Sequence, residues 1–101
     1  MRQRLPNRRE SEVADFNFGG MLFTVGLSRF ADGRLAEILV STGKPGFAVE
    51  AAARDSAIAA SLALQFGCPL KTLRKVLTAD HTGGSASPLG AALAVLQGGG
   101  R

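Results

Sequence analysis

Few side chains in this sequence are able to carry out chemistry. It contains one histidine, His81, and one cysteine, Cys68. A nucleophile needs a base within hydrogen-bond reach, and a redox pair needs a second thiol. One histidine and one cysteine also fall short of a zinc ligand set. The sequence therefore predicts no catalytic residue and no metal site. A small enzyme that uses Asp80, His81 or Glu37 is the weakest of the alternatives, because no two carboxylates are placed as a general acid and a general base.

A glycine-rich loop, residues 41–46, is the candidate nucleotide or anion site. Gly43, Lys44 and Gly46 would bring backbone amides, an ammonium group and a helix N-terminus together, and this combination can hold an anion. The loop is not a Walker A motif, because Lys44 is followed by Pro45 and not by Ser or Thr. The alternative is that the two glycines only shape a turn from strand to helix.

The net charge of +4 comes from the beginning of the chain. Residues 1–9 contain Arg2, Arg4, Arg8 and Arg9 and no acid, and the rest of the chain is neutral overall. We expect a flexible basic arm that aids solubility or contacts nucleic acid or an acidic protein. A nucleic-acid-associated protein would use this arm with three basic residues further along, which are Lys71, Arg74 and Lys75.

The sequence predicts a small sheet that would position part of these candidate residues. Alternation of apolar and polar residues predicts strands over 12–18, 21–30 and 34–41. The pairs Gly19-Gly20 and Asp32-Gly33 are typical of tight hairpins, so the sequence predicts an antiparallel meander. The side chains expected on its buried face are Ala14, Phe16, Phe18, Met21, Phe23, Val25 and Leu27.

Helices should cover this sheet. The alanine- and leucine-rich stretch 46–66 predicts one long helix, and Pro69 and Pro88 predict short helices over 69–79 and 88–96. The fold class is therefore α+β. Along the long helix, the stripe expected to pack on the sheet is Phe47, Ala51, Ile58, Leu62 and Phe66, with Ala48, Ala52, Ala59 and Ala63 beside it.

Three further expectations concern these helices. Glu50 and Arg54 should form an exposed i,i+4 pair. The apolar width of the long helix exceeds what one small sheet covers, so a second helix or a second copy should lie on its other side. The last helix has no polar face, and we expect it to cover the body of the domain or to dock on a neighbour.

The length of 101 residues suits one domain. We expect an arm over 1–9, a single domain over 10–97 and a flexible tail over 98–101. No uninterrupted apolar stretch reaches the length of a membrane span, since the uncharged stretch 56–70 is broken by Gly67 and Pro69. The absence of a secretory signal pattern and the single cysteine favour the cytoplasm.

Several short segments also carry a resemblance to a known family. They are residues 23–26, 32–38, 43–46, 50–51, 61–64 and 67–77. In this order they resemble the TSCPD domain, a small domain near the C-terminus of adenosylcobalamin-dependent ribonucleotide reductases that also occurs as short free-standing proteins. The resemblance covers residues 20–78. The Thr-Ser-Cys-Pro-Asp motif that names the domain is absent here, as is the cysteine-rich tail that often follows it.

The resemblance implies an accessory or regulatory module of deoxyribonucleotide metabolism that binds itself or a reductase-like partner. The label ribonucleoside-diphosphate reductase could be inherited through the domain alone, since the catalytic barrel cannot fit in this chain. Adenosylcobalamin enters only by family association, and we expect this chain to bind no cofactor alone. The alternative from a different functional class is a nucleic-acid-associated protein that uses its basic arm.

Overall fold

The computed structural model describes residues 2–3, 11–43 and 48–99, with side chains up to residue 95 in the last helix. It shows the predicted α+β architecture, a three-stranded antiparallel sheet packed against helices. The elements in chain order are β1 (Ser11–Phe18), β2 (Met21–Arg29), β3 (Leu35–Thr42), α1 (Ala48–Gln65), α2 (Leu70–Val76) and α3 (Pro88–Gly99). Within the part of the chain that the structure describes, no helix is both long enough and apolar enough to cross a membrane.

The sheet has the order β1-β2-β3, and its buried face is the one that the alternation predicts. Gly19 and Gly20 join β1 to β2 with φ values of 60° and 79°, a conformation that favours glycine. Phe23 is fully buried at the centre and stacks on Phe16, with 5.5 Å between the ring centroids. The ring of Phe18 meets the same phenylalanine edge-on at 6.4 Å.

The second hairpin contains an irregularity that the sequence did not predict. Ser28 pairs with Glu37 but Arg29 pairs with Leu35, so Ala36 is an extra residue in β3. The turn itself is closed by backbone hydrogen bonds between Phe30 and Arg34 and between Gly33 and Phe30, of 2.8 and 2.9 Å. The bulge shifts the register of β3 against β2 at this end of the sheet.

Two helices lie on the sheet and meet each other. Helix α1 packs on β3, and α3 packs on β1, α1 and β3. In α3, Leu89, Ala92 and Leu93 are buried. Of the two outcomes expected for the last helix, the structure therefore shows the first, because α3 covers the body of the domain.

The prediction of which face of α1 packs on the sheet is wrong. Ile58, Leu62 and Phe66 are 46%, 40% and 61% exposed. The buried side chains are mostly small: Glu50, Ala53, Ala57, Ala60, Ser61, Leu64 and Gln65. Alanine and serine allow the helix axis to come close to β3, and the larger aliphatic residues consequently face outward. Phe47, the first member of the predicted stripe, lies outside the described residues.

The predicted exposed pair of Glu50 and Arg54 is also wrong in part. The two residues do pair, with 2.7 Å between Arg54 Nη2 and Glu50 Oε2, but the Glu50 side chain is 10% exposed whereas that of Arg54 is 60% exposed. The two groups are not aligned for a hydrogen bond. Among the described residues, Glu50 Oε2 therefore lies buried beside a positive charge but accepts no hydrogen bond. The carboxylate of Glu50 is therefore in the interior of the domain, while Arg54 pairs with it from the surface.

Helix α2 is shorter than the predicted helix over 69–79. Leu77 is already extended, with φ −72° and ψ 149°, and Ala79 forms an isolated bridge with Ser85. This bridge closes a hairpin around Asp80, and its backbone geometry is incompatible with a continuing helix. Val76, the last residue of α2, is 71% exposed.

Candidate functional site

Strand β3 is an edge strand, and α1 supplies hydrogen bonds to its free side. The backbone N–H of Ile38 donates to Ser61 Oγ at 2.9 Å, and Ser61 Oγ lies 2.9 Å from the carbonyl oxygen of Ile38. Next to it, Gln65 Nε2 donates to the carbonyl oxygen of Ala36 at 3.0 Å. The helix thereby protects half of an edge that could otherwise pair with another strand.

Beside these bonds lies a small apolar groove of about 150 Å³. We call it the α1–β3 groove; its lining residues are Arg2, Glu37, Leu39, Ile58, Ser61, Leu62 and Gln65. Leu39, from the edge strand, is 52% exposed, and Ile58 and Leu62 are exposed beside it on the helix. Three neighbouring aliphatic side chains with a polar rim are typical of a protein-binding surface.

Part of the predicted arm lies against this groove. Arg2 Nε donates to Gln65 Oε1 at 2.5 Å, and the backbone N–H of Gln3 donates to the carbonyl oxygen of Gln65 at 2.8 Å. Helix α1 has no basic residue in its last turn, so Arg2 supplies a positive charge at the helix C-terminus from elsewhere in the chain. The guanidinium of Arg2 is therefore used within the domain. Arg4, Arg8 and Arg9 lie outside the described residues.

The candidate anion loop is largely outside the described chain. Gly43 follows the end of β3 and is exposed, and an added Cβ there would meet no atom within 4 Å. Lys44 and Gly46 are not among the described residues. Anion binding by Gly43, Lys44 and Gly46 stays a prediction.

The candidate chemical residues are not brought together. Glu37 lies in the α1–β3 groove, Cys68 is half-buried at the junction of α1 and α2, and His81 is exposed in the loop after α2. Among the described residues there is no group of three His, Cys, Asp or Glu side chains placed to hold a metal ion. The geometry therefore offers no catalytic arrangement of Asp80, His81 and Glu37.

The basic residues of α2, Lys71, Arg74 and Lys75, are exposed. Arg74 also lines a cavity of about 400 Å³ between α2, the Asp80 hairpin and α3. Its walls are mostly backbone and small side chains, including Gly83, Gly84 and Gly90.

Two arginines that the sequence analysis passed over stand on either side of the β2–β3 turn. Arg29 and Arg34 line a cavity of about 380 Å³ that also contains Cys68. The Asp-Gly pair predicts the hairpin but indicates no role for the arginines beside it. Their positions next to the Asp-Gly turn can be read from the sequence, but no local pattern indicates that this turn shares a cavity with the α1–α2 junction.

Two known proteins are similar in sequence to most of this chain. The chain is 38% identical over 77 residues to a protein named vitamin B12-dependent ribonucleotide reductase from Agrobacterium fabrum strain C58, across 76% of this chain. It is 36% identical over 69 residues, 68% of this chain, to a protein of the same name from Bradyrhizobium diazoefficiens. Most of this chain is similar to a small part of these reductases.

The similar segment is a small part of each relative. The chain spans 6% of the length of each of these two relatives. No family model matches the chain, and no solved structure matches it. The similarity therefore supports a reductase-related module, and it agrees with the sequence resemblance noted above without naming the domain.

Proposed function

We propose that this chain is a TSCPD-like accessory module that binds a reductase-like protein and does not turn over a substrate alone. The observation that carries the proposal is the similarity of 76% and 68% of the chain to 6% of the length of two proteins named vitamin B12-dependent ribonucleotide reductase. A segment of this size is a small part of such an enzyme. Its contribution would be made by contact and would serve deoxyribonucleotide metabolism.

The α1–β3 groove is the surface on which the partner would dock. In the relatives the similar segment is joined to a polypeptide many times longer, and a surface of this kind could be covered by that polypeptide. Leu39, Ile58 and Leu62 would provide the apolar centre of the contact, while Arg2 and Glu37 would lie at its rim. Apolar residues at the centre of an interface supply most of its binding free energy.

The chemistry of reduction is assigned to the partner. The only thiol of this chain, Cys68, cannot form the intramolecular disulfide that would provide an electron pair. We propose that adenosylcobalamin, where it takes part, is held by the partner.

The experiment is a binding titration against a purified vitamin B12-dependent ribonucleotide reductase whose own similar segment has been deleted. We expect wild-type chain to bind, and Leu62→Lys to weaken binding at least tenfold, because a lysine at the centre would have to be desolvated. The matched control is Leu22→Lys, since Leu22 is 57% exposed but lies on β2, outside the groove. This variant should bind like wild type.

Three outcomes would contradict the proposal. The first is equal weakening by both variants, and the second is no binding by the wild type. The third is a dimer in light scattering that Leu62→Lys dissociates, because the groove would then join two copies of this chain. Reductase activity of the isolated chain, with or without adenosylcobalamin, would overturn the assignment of chemistry to the partner.

A further inference from the structure

A cavity of about 380 Å³ separates the β2–β3 turn from the junction of α1 and α2. We call it the arginine cavity; its lining residues are Arg29, Gly33, Arg34, Leu35, Leu64, Gly67, Cys68, Pro69 and Leu70. Among the described residues, two guanidinium groups belong to this lining, and the carboxylates paired with them, Asp32 and Glu12, do not. Its size falls within the range of about 300 to 1,000 Å³ that is usual for small-molecule sites.

The guanidinium of Arg34 is held in place by three contacts. Arg34 Nε donates to Asp32 Oδ2 at 2.8 Å, and Nη2 donates to Gln3 Oε1 at 2.9 Å. Its central carbon lies 4.8 Å from the centroid of the Phe30 ring, a cation–π contact. A guanidinium has five N–H donors in a planar fork, so the contacts with described residues leave donors on Nη1 and Nη2 for a ligand.

Arg29 is less fully engaged. Its Nη1 donates to the carbonyl oxygen of Gly33 at 3.1 Å, which directs the side chain along the turn. The carboxylate paired with it is Glu12, at 3.9 Å from Nε, and the Glu12 side chain is 65% exposed. A pair this long and this exposed contributes little, so a ligand anion could replace it at small cost.

The rest of the cavity is apolar. Leu35 and Leu64 are buried, and Leu70 is half-buried beside them. Gly33 and Gly67 line the opposite rims with φ values of 93° and 103°. Residues with a side chain rarely adopt this backbone conformation. Glycine at both positions leaves the backbone of the two rims uncovered by a side chain.

We propose that the arginine cavity binds a small organic anion, with its carboxylate or phosphate group on Arg29 and Arg34 and its apolar body on the three leucines. Planar guanidinium groups bind both anions through paired, charge-assisted hydrogen bonds. The arginine cavity is formed by different residues from the α1–β3 groove. The inference therefore does not depend on the proposed docking function.

The test uses the chain alone with benzoate and phenyl phosphate as probes, followed by ¹⁵N NMR of the backbone and of the arginine Nε–H groups. We expect saturable shifts at Gly33, Arg34, Gly67 and Cys68 with either probe. Benzamide, which has the same ring without the charge, should bind at least about tenfold more weakly, given the usual strength of hydrogen bonds to charged groups. Tighter binding of phenyl phosphate would identify phosphate esters as the ligand source, and tighter binding of benzoate would identify carboxylates.

The matched variants are Arg29→Gln and Arg74→Gln, since Arg74 lines the other large cavity. Arg29→Gln should weaken both probes about tenfold, while Arg74→Gln and Leu62→Lys should leave binding unchanged. Equal loss in Arg29→Gln and Arg74→Gln would overturn the site, as would absence of shifts at the cavity. Inorganic phosphate binding as tightly as phenyl phosphate would overturn the role of the leucines. Failure of the docking experiment would leave this result unaffected.

Discussion

Asp80 organises the loop between α2 and α3 through its carboxylate. Oδ1 accepts hydrogen bonds from the Thr82 backbone N–H, the Thr82 hydroxyl and the Gly84 backbone N–H, at 2.8, 2.6 and 2.9 Å. These donors favour the ionised carboxylate, so the Thr82 hydroxyl first, and then the backbone N–H groups, lower the pKa of Asp80 below its ordinary value of 3.8. His81 is exposed within the same turn and none of these bonds involves it. The loop is therefore ordered by an acid and not by the histidine that suggested catalysis.

The lowered pKa gives the hairpin a defined pH dependence. The unfolded chain binds a proton to Asp80 more readily than the folded chain does, so this stabilisation is present above pH 3.8 and is lost as the pH falls through the folded-state pKa. Thr82→Ala should raise the pKa of Asp80 toward 3.8 while the backbone donors keep part of the shift. The check is a ¹³C NMR titration of the carboxyl carbon. Thr78→Ala, an exposed threonine before the hairpin, is the control; equal pKa values in wild type and Thr82→Ala would contradict the interpretation.

At the scale of elements, one hydroxyl group makes two of the polar contacts between α1 and β3. Ser61 is 7% exposed, and its Oγ accepts from the Ile38 N–H and lies 2.9 Å from the carbonyl oxygens of Ile38 and Ala57. Ser61→Ala would leave the N–H and carbonyl groups of Ile38 buried without this partner. We expect a loss of about 1–3 kcal/mol in the free energy of unfolding, measured by urea denaturation.

The same helix offers a matched control for this change. Ser56 Oγ donates to the carbonyl oxygen of Ala53 at 2.9 Å, a bond within its own helix turn. Ser56→Ala removes the same hydroxyl without unpairing the edge strand, and it should change the unfolding free energy by less than about 0.5 kcal/mol. Losses of equal size in the two variants would show that the strand contact contributes nothing special.

The helix–strand contact also explains what the sequence could and could not predict about the elements. Period-two alternation with two glycine-containing hairpins defines the sheet and its buried face, because a strand with two unlike faces has one way to bury the apolar one. In α1 the apolar residues surround the whole helix, so periodicity did not distinguish the faces. The choice was made by close approach to β3, which needs Ala57, Ala60 and Ser61 more than it needs Ile58 and Leu62.

Candidate sites were predicted less well than elements for a related reason. The arginine cavity joins the turn at Arg29 and Arg34 to the α1–α2 junction at Cys68, segments that are distant in sequence and have no common motif. The α1–β3 groove exists because the larger aliphatic residues of α1 face outward, which depends on how the helix is rotated about its axis. Tertiary placement of this kind leaves no local pattern.

At the scale of the whole molecule, one core joins the sheet to the two helices that pack on it. Phe23 is fully buried at its centre, and the cluster around it draws on the sheet, α1 and α3. A chain of 101 residues has little further apolar burial to compensate for a loss at this point. The stability of β1, α1 and α3 should therefore be lost in a single transition.

Phe23→Ala tests this cooperativity. It removes the ring that contacts Phe16 and Phe18 and leaves a cavity, at an expected cost of about 3–5 kcal/mol, a large share of the 5–15 kcal/mol typical of a folded domain. Leu22→Ala, one residue earlier on the same strand but 57% exposed, should cost about 0.5 kcal/mol or less. Thermal unfolding followed by circular dichroism should show one transition at a much lower temperature for Phe23→Ala, and hydrogen exchange should accelerate in β1, α1 and α3 alike. Helix protection that persists while the sheet exchanges freely would mean that α1 and α3 are stable without the phenylalanine cluster, and that the domain has more than one cooperative unit.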